Sequence, residues 1–235
     1  MAFRFKQFIV EDDRSTMRIG TDAILLGAWA EPGPAASILE IGTGSGVISL
    51  MLAQRSDAQI DAIDIDEESI KQAGSNFMQS SWSEKLHPLP TSIQDLVSTS
   101  KHKYDLIITN PPFFIDSLPS PDARKNIARH TNNLSQEDLI SGIIHLLNRN
   151  GLFLLILPTE ESRKFSALAE TAELYIRRQM KVRPKAGKPV NRILSEFGFK
   201  ACQAPYFEEL VIRNEDNSFT REYIAFTDSF YFSLR

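Results

Sequence analysis

The stretch Ile38-Leu39-Glu40-Ile41-Gly42-Thr43-Gly44-Ser45-Gly46 decides the fold. A short apolar run ends beside an acid, and three glycines follow at alternate positions. A helical period then begins at once, with Val47, Ile48, Met51 and Leu52 forming the apolar face of Gly46–Arg55. Strand, glycine loop and helix in that order make the first unit of an open α/β sheet. The glycines let the chain turn sharply and let a ligand lie against bare backbone. The spacing is G-x-G-x-G, and Val47 stands where a dinucleotide fingerprint wants its last glycine. Glu40 stands just before the loop, where a carboxylate can hold a cationic amino group. Both features favour a methionine-derived cofactor over a pyrophosphate. The expected contacts are Glu40, Gly42, Thr43, Gly44 and Gly46. The plainer alternatives are a structural turn, or a nicotinamide or flavin site on the same fold.

Outward from that loop, short apolar runs alternate with helical periods, which predicts β-α-β units and a mostly parallel sheet. Seven strands are expected, at 37–41, 59–63, 87–91, 104–109, 151–157, 174–182 and 191–199, with helices on both faces. Leu210–Arg213 reads as a further extended piece, and the C-terminal segment as partly helical. Thr21 is expected to cap a helix over Asp22–Ala30, Ser135 and Thr159 to cap two later ones, and Gly151 to end the helix that Ser135 starts. Glu31-Pro32-Gly33-Pro34 reads as a linker. The division is therefore an N-terminal extension, 1–36, packing on a catalytic domain, 37–235.

Asp64 ends the second strand, where a carboxylate accepts hydrogen bonds from ribose hydroxyls. Ile65 follows it in the same cofactor-binding stretch. Asp66 reads instead as the cap of the next helix, through Asp66-Glu67-Glu68-Ser69. Asp95 follows the third strand in a polar loop, placed to accept from an adenine amino group, with an N-cap or exposed acid as the alternative.

Thr109-Asn110-Pro111-Pro112-Phe113 follows the fourth strand directly. Two prolines fix φ and make a stiff loop that can hold acceptors at a set distance. A conjugated NH2 group is planar and a poor nucleophile. Hydrogen bonds to the Asn110 side-chain oxygen and the Pro111 carbonyl would pull it toward tetrahedral geometry and free its lone pair. Phe113 can stack on a planar substrate. An already activated methyl donor needs neither strong base nor metal, so the chemistry reduces to placement and polar stabilisation. Asn110, Pro111, Pro112 and Phe113 are the expected catalytic set, and no metal site is expected.

These motifs resemble those of class I methyltransferases that act on amino groups, a Rossmann-like class. Phe5-Lys6-Gln7-Phe8, Asp13-Arg14, Met17-Arg18-Ile19-Gly20-Thr21-Asp22-Ala23 and Leu25-Leu26-Gly27-Ala28-Trp29 are similar to the N-terminal signature of bacterial tRNA adenine-N6 methyltransferases. Ala128-Arg129-His130-Thr131 and Gly187-Lys188-Pro189 are similar to later segments of that family, which methylates the adenine 3′ of the anticodon in a valine tRNA. Arg18 stands where Lys is the pattern, and Phe113 where Tyr is frequent. The resemblance implies S-adenosyl-L-methionine as cofactor, with Thr21 and Asp22 near its methionine end, and tRNA as substrate. Read alone, those two residues are a helix cap and a first-turn acid.

The charge distribution suits that substrate better than the sum does. Net charge is −4, yet residues 174–195 carry seven basic residues and no acid, which leaves 19 basic against 30 acidic residues, or −11, elsewhere. Alternation in 174–183 is expected to put Leu174, Ile176, Met180 and Val182 on one strand face and Arg177, Lys181 and Arg183 on the other. With Lys185, Lys188 and Arg129, these three basic residues are the expected RNA contacts, and a solvated strand face is the plain alternative. The loop 114–133 is long enough for a lid. The single cysteine, Cys202, excludes an intrachain disulfide. No signal peptide or membrane span is expected, which fits a cytoplasmic protein with no obligate protein partner. Rival substrates for the same chemistry are an rRNA guanine N2, a protein glutamine N5 and a DNA adenine N6. A non-catalytic RNA-binding module is the rival from another class. With 36 residues before the first strand, the added domain usual in the glutamine enzymes is not expected.

Overall fold

The computed structural model describes residues 2–16, 18–111 and 134–232. Among the described residues, ten strands and seven α-helices follow in chain order: β1 Ala2–Arg4, β2 Ile9–Glu11, α1 Thr21–Trp29, β3 Ser37–Ile41, α2 Val47–Ala53, β4 Gln59–Asp64, α3 Glu67–Met78, β5 Leu86–Pro90, α4 Ile93–Thr99, β6 Tyr104–Thr109, α5 Gln136–Leu146, β7 Leu147–Pro158, α6 Thr159–Thr171, β8 Tyr175–Arg183, β9 Arg192–Gly198, β10 Tyr206–Val211 and α7 Arg221–Thr227. The main sheet has the order β10-β8-β9-β7-β6-β3-β4-β5. β9 is antiparallel to β7 and β8, and every other pair in the sheet is parallel. β8 therefore runs with the core strands, and the segment after Arg183 emerges at their C-terminal edge. Strand ends at that edge, where the order reverses beside β3, are where open α/β sheets bind ligands.

Near-continuous apolar runs in β3, β6 and β7 reflect burial on both faces. One face carries α1, α2, α3 and α7 over Ile38, Ile60, Leu106 and Leu154. The other carries α4, α5 and α6 over Leu39, Ile107, Phe153 and Leu155. The N-terminal segment is tied down at several points. β1 and β2 form a separate antiparallel pair. Phe5 stacks on Phe8 and on Tyr231. The Arg178 guanidinium lies 4.2 Å from the Trp29 ring centroid, linking α1 to β8.

Several expectations change. Among the described residues the sheet has eight strands, not seven, because residues 206–211 pair in parallel with β8 as a full edge strand. Gly20, not Thr21, caps α1, and no side chain makes a capping hydrogen bond there. Pro158 precedes α6 without a side-chain cap, since the Thr159 hydroxyl donates to the Val190 carbonyl instead. Gly151 lies inside β7 rather than ending α5, which stops at Leu146. A Cβ on Gly151 would come within 3.0 Å of the Asp105 carbonyl, so close approach of β6 explains the glycine. The alternation expected in β8 breaks at a register shift between Ile176 and Arg178. A bulge there sends Leu174 and Ile176 to one face, and Met180 and Val182 to the other. Arg177 thus lies near the start of β8, donating to the Lys200 carbonyl, six residues from Arg183.

Candidate active site

The glycine loop has the conformation its sequence demands. Gly42, Gly44 and Gly46 take φ of 73°, 55° and 80°, which side-chain-bearing residues rarely adopt. The backbone N–H groups of Gly42 and Thr43 both donate to the Ile63 carbonyl, at 2.9 and 3.0 Å, which folds the loop over the end of β4. The glycines have different tasks. A Cβ on Gly46 would fall 2.4 Å from the Phe77 ring, so that glycine serves helix packing. Around Gly42 and Gly44 a Cβ would meet no atom within 4 Å. Their bare backbone faces open space, which a ligand can approach closely.

Glu40 is 1% exposed. Its Oε2 accepts from the Thr43 hydroxyl at 2.8 Å, from the Ser49 N–H at 3.1 Å, and from the Ser49 hydroxyl. Burial pushes its pKa up to about 7, against the opposing effect of these hydrogen bonds. The carboxyl thus braces the loop against the first turns of α2. Sequence reading missed Ser49, whose signal was a lone hydroxyl inside the apolar run VISLMLA.

Asp64 stands at the C-terminal end of β4. Its Oδ2 accepts from the Gly44 N–H at 2.9 Å and its Oδ1 from the Asp66 N–H at 3.0 Å. Burial raises its pKa, with the Asp66 and Gly44 bonds acting in the other direction. The Ile65 N–H also bonds this carboxylate, and with two lone pairs on each oxygen the group can still accept from a hydroxyl beside the loop. Ile65, next along the chain, is 44% exposed and presents an apolar surface at the same edge. Asp66 caps α3 as expected, accepting from the Ser69 N–H at 2.8 Å.

Asp95 lies in the first turn of α4, not in a loop. Its N–H donates to the Ser92 hydroxyl, which in turn donates to Asp95 Oδ2 at 2.7 Å. Asp22 accepts from the Arg192 guanidinium at 2.8 Å. Arg192 is paired with Pro158 at the C-terminal end of β7, so Asp22 and neighbouring Thr21 sit along the same edge as the glycine loop.

Asn110 and Pro111 directly follow β6. Ile41 pairs with Thr109, so Gly42 and Asn110 leave neighbouring strands side by side. Adjacent strands lie about 4.8 Å apart. The Thr109 hydroxyl donates to the Ile41 carbonyl at 2.8 Å and fastens the two strand ends together. Asn110 is half-buried and Pro111 buried. Pro112, Phe113, Arg129 and the 114–133 loop lie outside the described residues.

Of the basic residues, Arg183 donates to the Lys188 carbonyl at 2.9 Å and pairs with Glu209. Lys185 donates to the Asn217 side chain at 2.9 Å, while Lys188 and Lys181 are exposed. All four lie at or near the C-terminal end of β8, and Arg177 does not join them. Among the described residues no His, Cys, Asp and Glu cluster could hold a metal ion, and no helix is long and apolar enough to cross a membrane.

Residues 16–151, more than half the chain, match the family model of the methyltransferase small domain. A tRNA1(Val) (adenine(37)-N6)-methyltransferase from Bacteroides fragilis is 40% identical over 99% of this chain and 98% of its own. The enzyme of the same name from Tolumonas auensis is 39% identical over the same shares. The chain belongs to this methyltransferase family. Its cofactor is S-adenosylmethionine, and the open backbone at Gly42 and Gly44, the acceptor carboxylate of Asp64 at the end of β4 and the exposed face of Ile65 fit that molecule. Two solved structures share the fold of this methyltransferase. One, described as a predicted O-methyltransferase from Agrobacterium tumefaciens, has a TM-score of 0.69 at 16% identity and covers 89% of this chain and 96% of its own. The other, the Thermus thermophilus 16S rRNA N2 G1207 methyltransferase in complex with AdoMet and guanosine, has a TM-score of 0.58 at 18% identity. It covers 85% of this chain and 50% of that one.

Proposed function

We propose that this methyltransferase modifies the exocyclic N6 of an adenine in tRNA, at the position beside the anticodon that the relatives' name specifies. The observation that carries the reading is the side-by-side exit of Gly42 and Asn110 from paired strands. When bound, the cofactor supplies an activated methyl group on a sulfonium. Every other contribution comes from the chain. Gly42 and Gly44 give a backbone surface for the donor, Asp64 accepts from its ribose, and Ile65 covers its adenine. Asn110 Oδ1 and the Pro111 carbonyl accept the two N–H bonds of the substrate amine, so its lone pair turns toward the methyl. The proton lost from nitrogen passes to solvent water and needs no strong base, because the charged product amine is acidic. Pro112 and Phe113 complete the loop, with Phe113 stacking on the adenine. Thr21, Asp22 and Glu40 order the methionine side of the pocket, and Asp95 lies on its adenine side.

An anticodon-loop base must turn out of its stack to enter such a pocket, and unpaired loop bases cost least to extrude. Lys185 and Lys188 bind the phosphates, with Lys181, Arg183 and Arg129 in support. In this reading residues 1–36 are an extension packed on the catalytic domain, and the enzyme works in the cytoplasm, where tRNA is. The test is label transfer from methyl-labelled donor to tRNA, to rRNA and to protein from cells that lack the gene. The expected result is label in tRNA alone, recovered as N6-methyladenosine on nucleoside mass analysis. Label in guanosine or in protein glutamine would overturn the substrate assignment.

A further inference from the structure

A cavity of about 380 Å³ opens beside the candidate site without touching the glycine loop, Asp64 or Asn110. Pro184 and Ile212 line it directly after the C-terminal ends of β8 and β10, and Thr21 lines it at the start of α1. It therefore lies on the same sheet edge as Asn110. Three strand steps separate β8 from β6, which is about 14 Å.

Its walls are aromatic: Phe3, Phe219, Tyr223 and Tyr231. Phe219 and Tyr223 stack with centroids 5.2 Å apart. The Arg213 guanidinium lies 4.0 Å from the Phe219 ring centroid and donates to the Asn217 carbonyl. Lys185 donates to the Asn217 side chain, and the Ala186 N–H donates to the Arg213 carbonyl at 2.8 Å. The 184–188 segment with its lysines is thereby fastened to the rim. The pocket thus sets stacking rings beside a planar cation, with Lys185 and the acid Asp216 at its rim. A nucleotide uses both, since every base has a π-face and every link a phosphate.

We propose that this cavity is a second nucleobase subsite, taking an unpaired base that flanks the methylated one in the substrate RNA. The inference rests on the RNA reading above and extends it. The flanking base seats against the aromatic walls beside the Phe219–Tyr223 pair, which Phe219 holds in place, and Arg213 and Lys185 lie on the side its phosphate would take. The methylated adenine is held between two anchored neighbours, so its extrusion is guided by a fixed backbone path.

The test is an abasic walk. Single nucleotides on either side of the target adenine are made abasic in an anticodon stem-loop RNA. Methyl transfer is then measured for wild type, Phe219→Leu and Arg213→Gln. At one flanking position the abasic RNA should lower wild-type kcat/KM about tenfold, mainly through KM, as loss of one base–aromatic stack does. Phe219→Leu should show a similar loss on intact RNA and little added loss at that same position, with melting temperature and cofactor affinity unchanged. Arg213→Gln reports independently if Phe219→Leu lowers the melting temperature. Losses that multiply at every position, or no sensitive position, would overturn the subsite while leaving RNA methylation standing. Absence of label from every RNA would overturn both.

Discussion

Glu40 is a carboxyl group held between two charge states by the fold. Its burial raises its pKa from 4.5 to about 7. Below pH 4.5 it is protonated whether the chain is folded or not. Between 4.5 and 7 the unfolded chain releases this proton while the folded chain keeps it, so stability falls as pH rises through that window. Above about 7 the contribution is flat. The drop is on the order of 3 kcal/mol. Urea unfolding of wild type and Glu40→Gln at pH 4.5 and pH 8 should show wild type losing ground to the variant by that order. A stability difference that does not change with pH would contradict it. The position of Glu40 was legible from sequence, because an acid before a glycine loop is a local pattern. Its partner Ser49, nine residues on, was not, because the hydrogen bond depends on how α2 turns back over β3. Asp95 shows the same limit. Its place after β5 was legible, but its capping pair with Ser92 was hidden because α4 is only seven residues long.

At the scale of elements, the glycine loop makes a sharper prediction than any single side chain. Gly42→Ala and Gly46→Ala both force a Cβ into the left-handed region, at about 1–2 kcal/mol each. Only at Gly46 does the new methyl strike packed atoms, the Phe77 ring. Thermal unfolding should therefore show Gly46→Ala losing about 1–3 kcal/mol more than Gly42→Ala. Calorimetry should show Gly42→Ala losing most of its cofactor affinity while remaining folded. Equal stabilities, or intact cofactor binding in Gly42→Ala, would contradict the division of labour between these glycines. The strands flanking the loop were readable because buried parallel strands are continuous apolar runs. β10 was only partly readable: Tyr206-Phe207-Glu208-Glu209 mixes exposed aromatics and acids, as an edge strand does. The bulge in β8 had no sequence signal, since a one-residue slip changes which face a side chain takes without changing its type.

At the scale of the whole molecule, charge is segregated rather than abundant. A chain of net charge −4 presents basic residues at the C-terminal end of β8, on the edge that carries Asn110. The composition of that segment was legible. That Arg177 and Arg178 are diverted was not, for Arg178 pairs with Glu31 and Glu196 and lies over Trp29. Lys185→Glu with Lys188→Glu should weaken RNA binding and flatten its dependence on salt, each lost phosphate contact removing close to one from the logarithmic slope. Unchanged binding across a salt series would reject this face as the RNA contact.

The whole account depends on two acceptors at the end of β6 acting on the substrate amine rather than on the cofactor. Asn110→Ala separates the two. Cofactor affinity by calorimetry should stay within about threefold of wild type, while single-turnover methyl transfer falls by a hundredfold or more, as removal of a preorganised polar contact does. Lost cofactor affinity with normal transfer at saturating donor would contradict the mechanism.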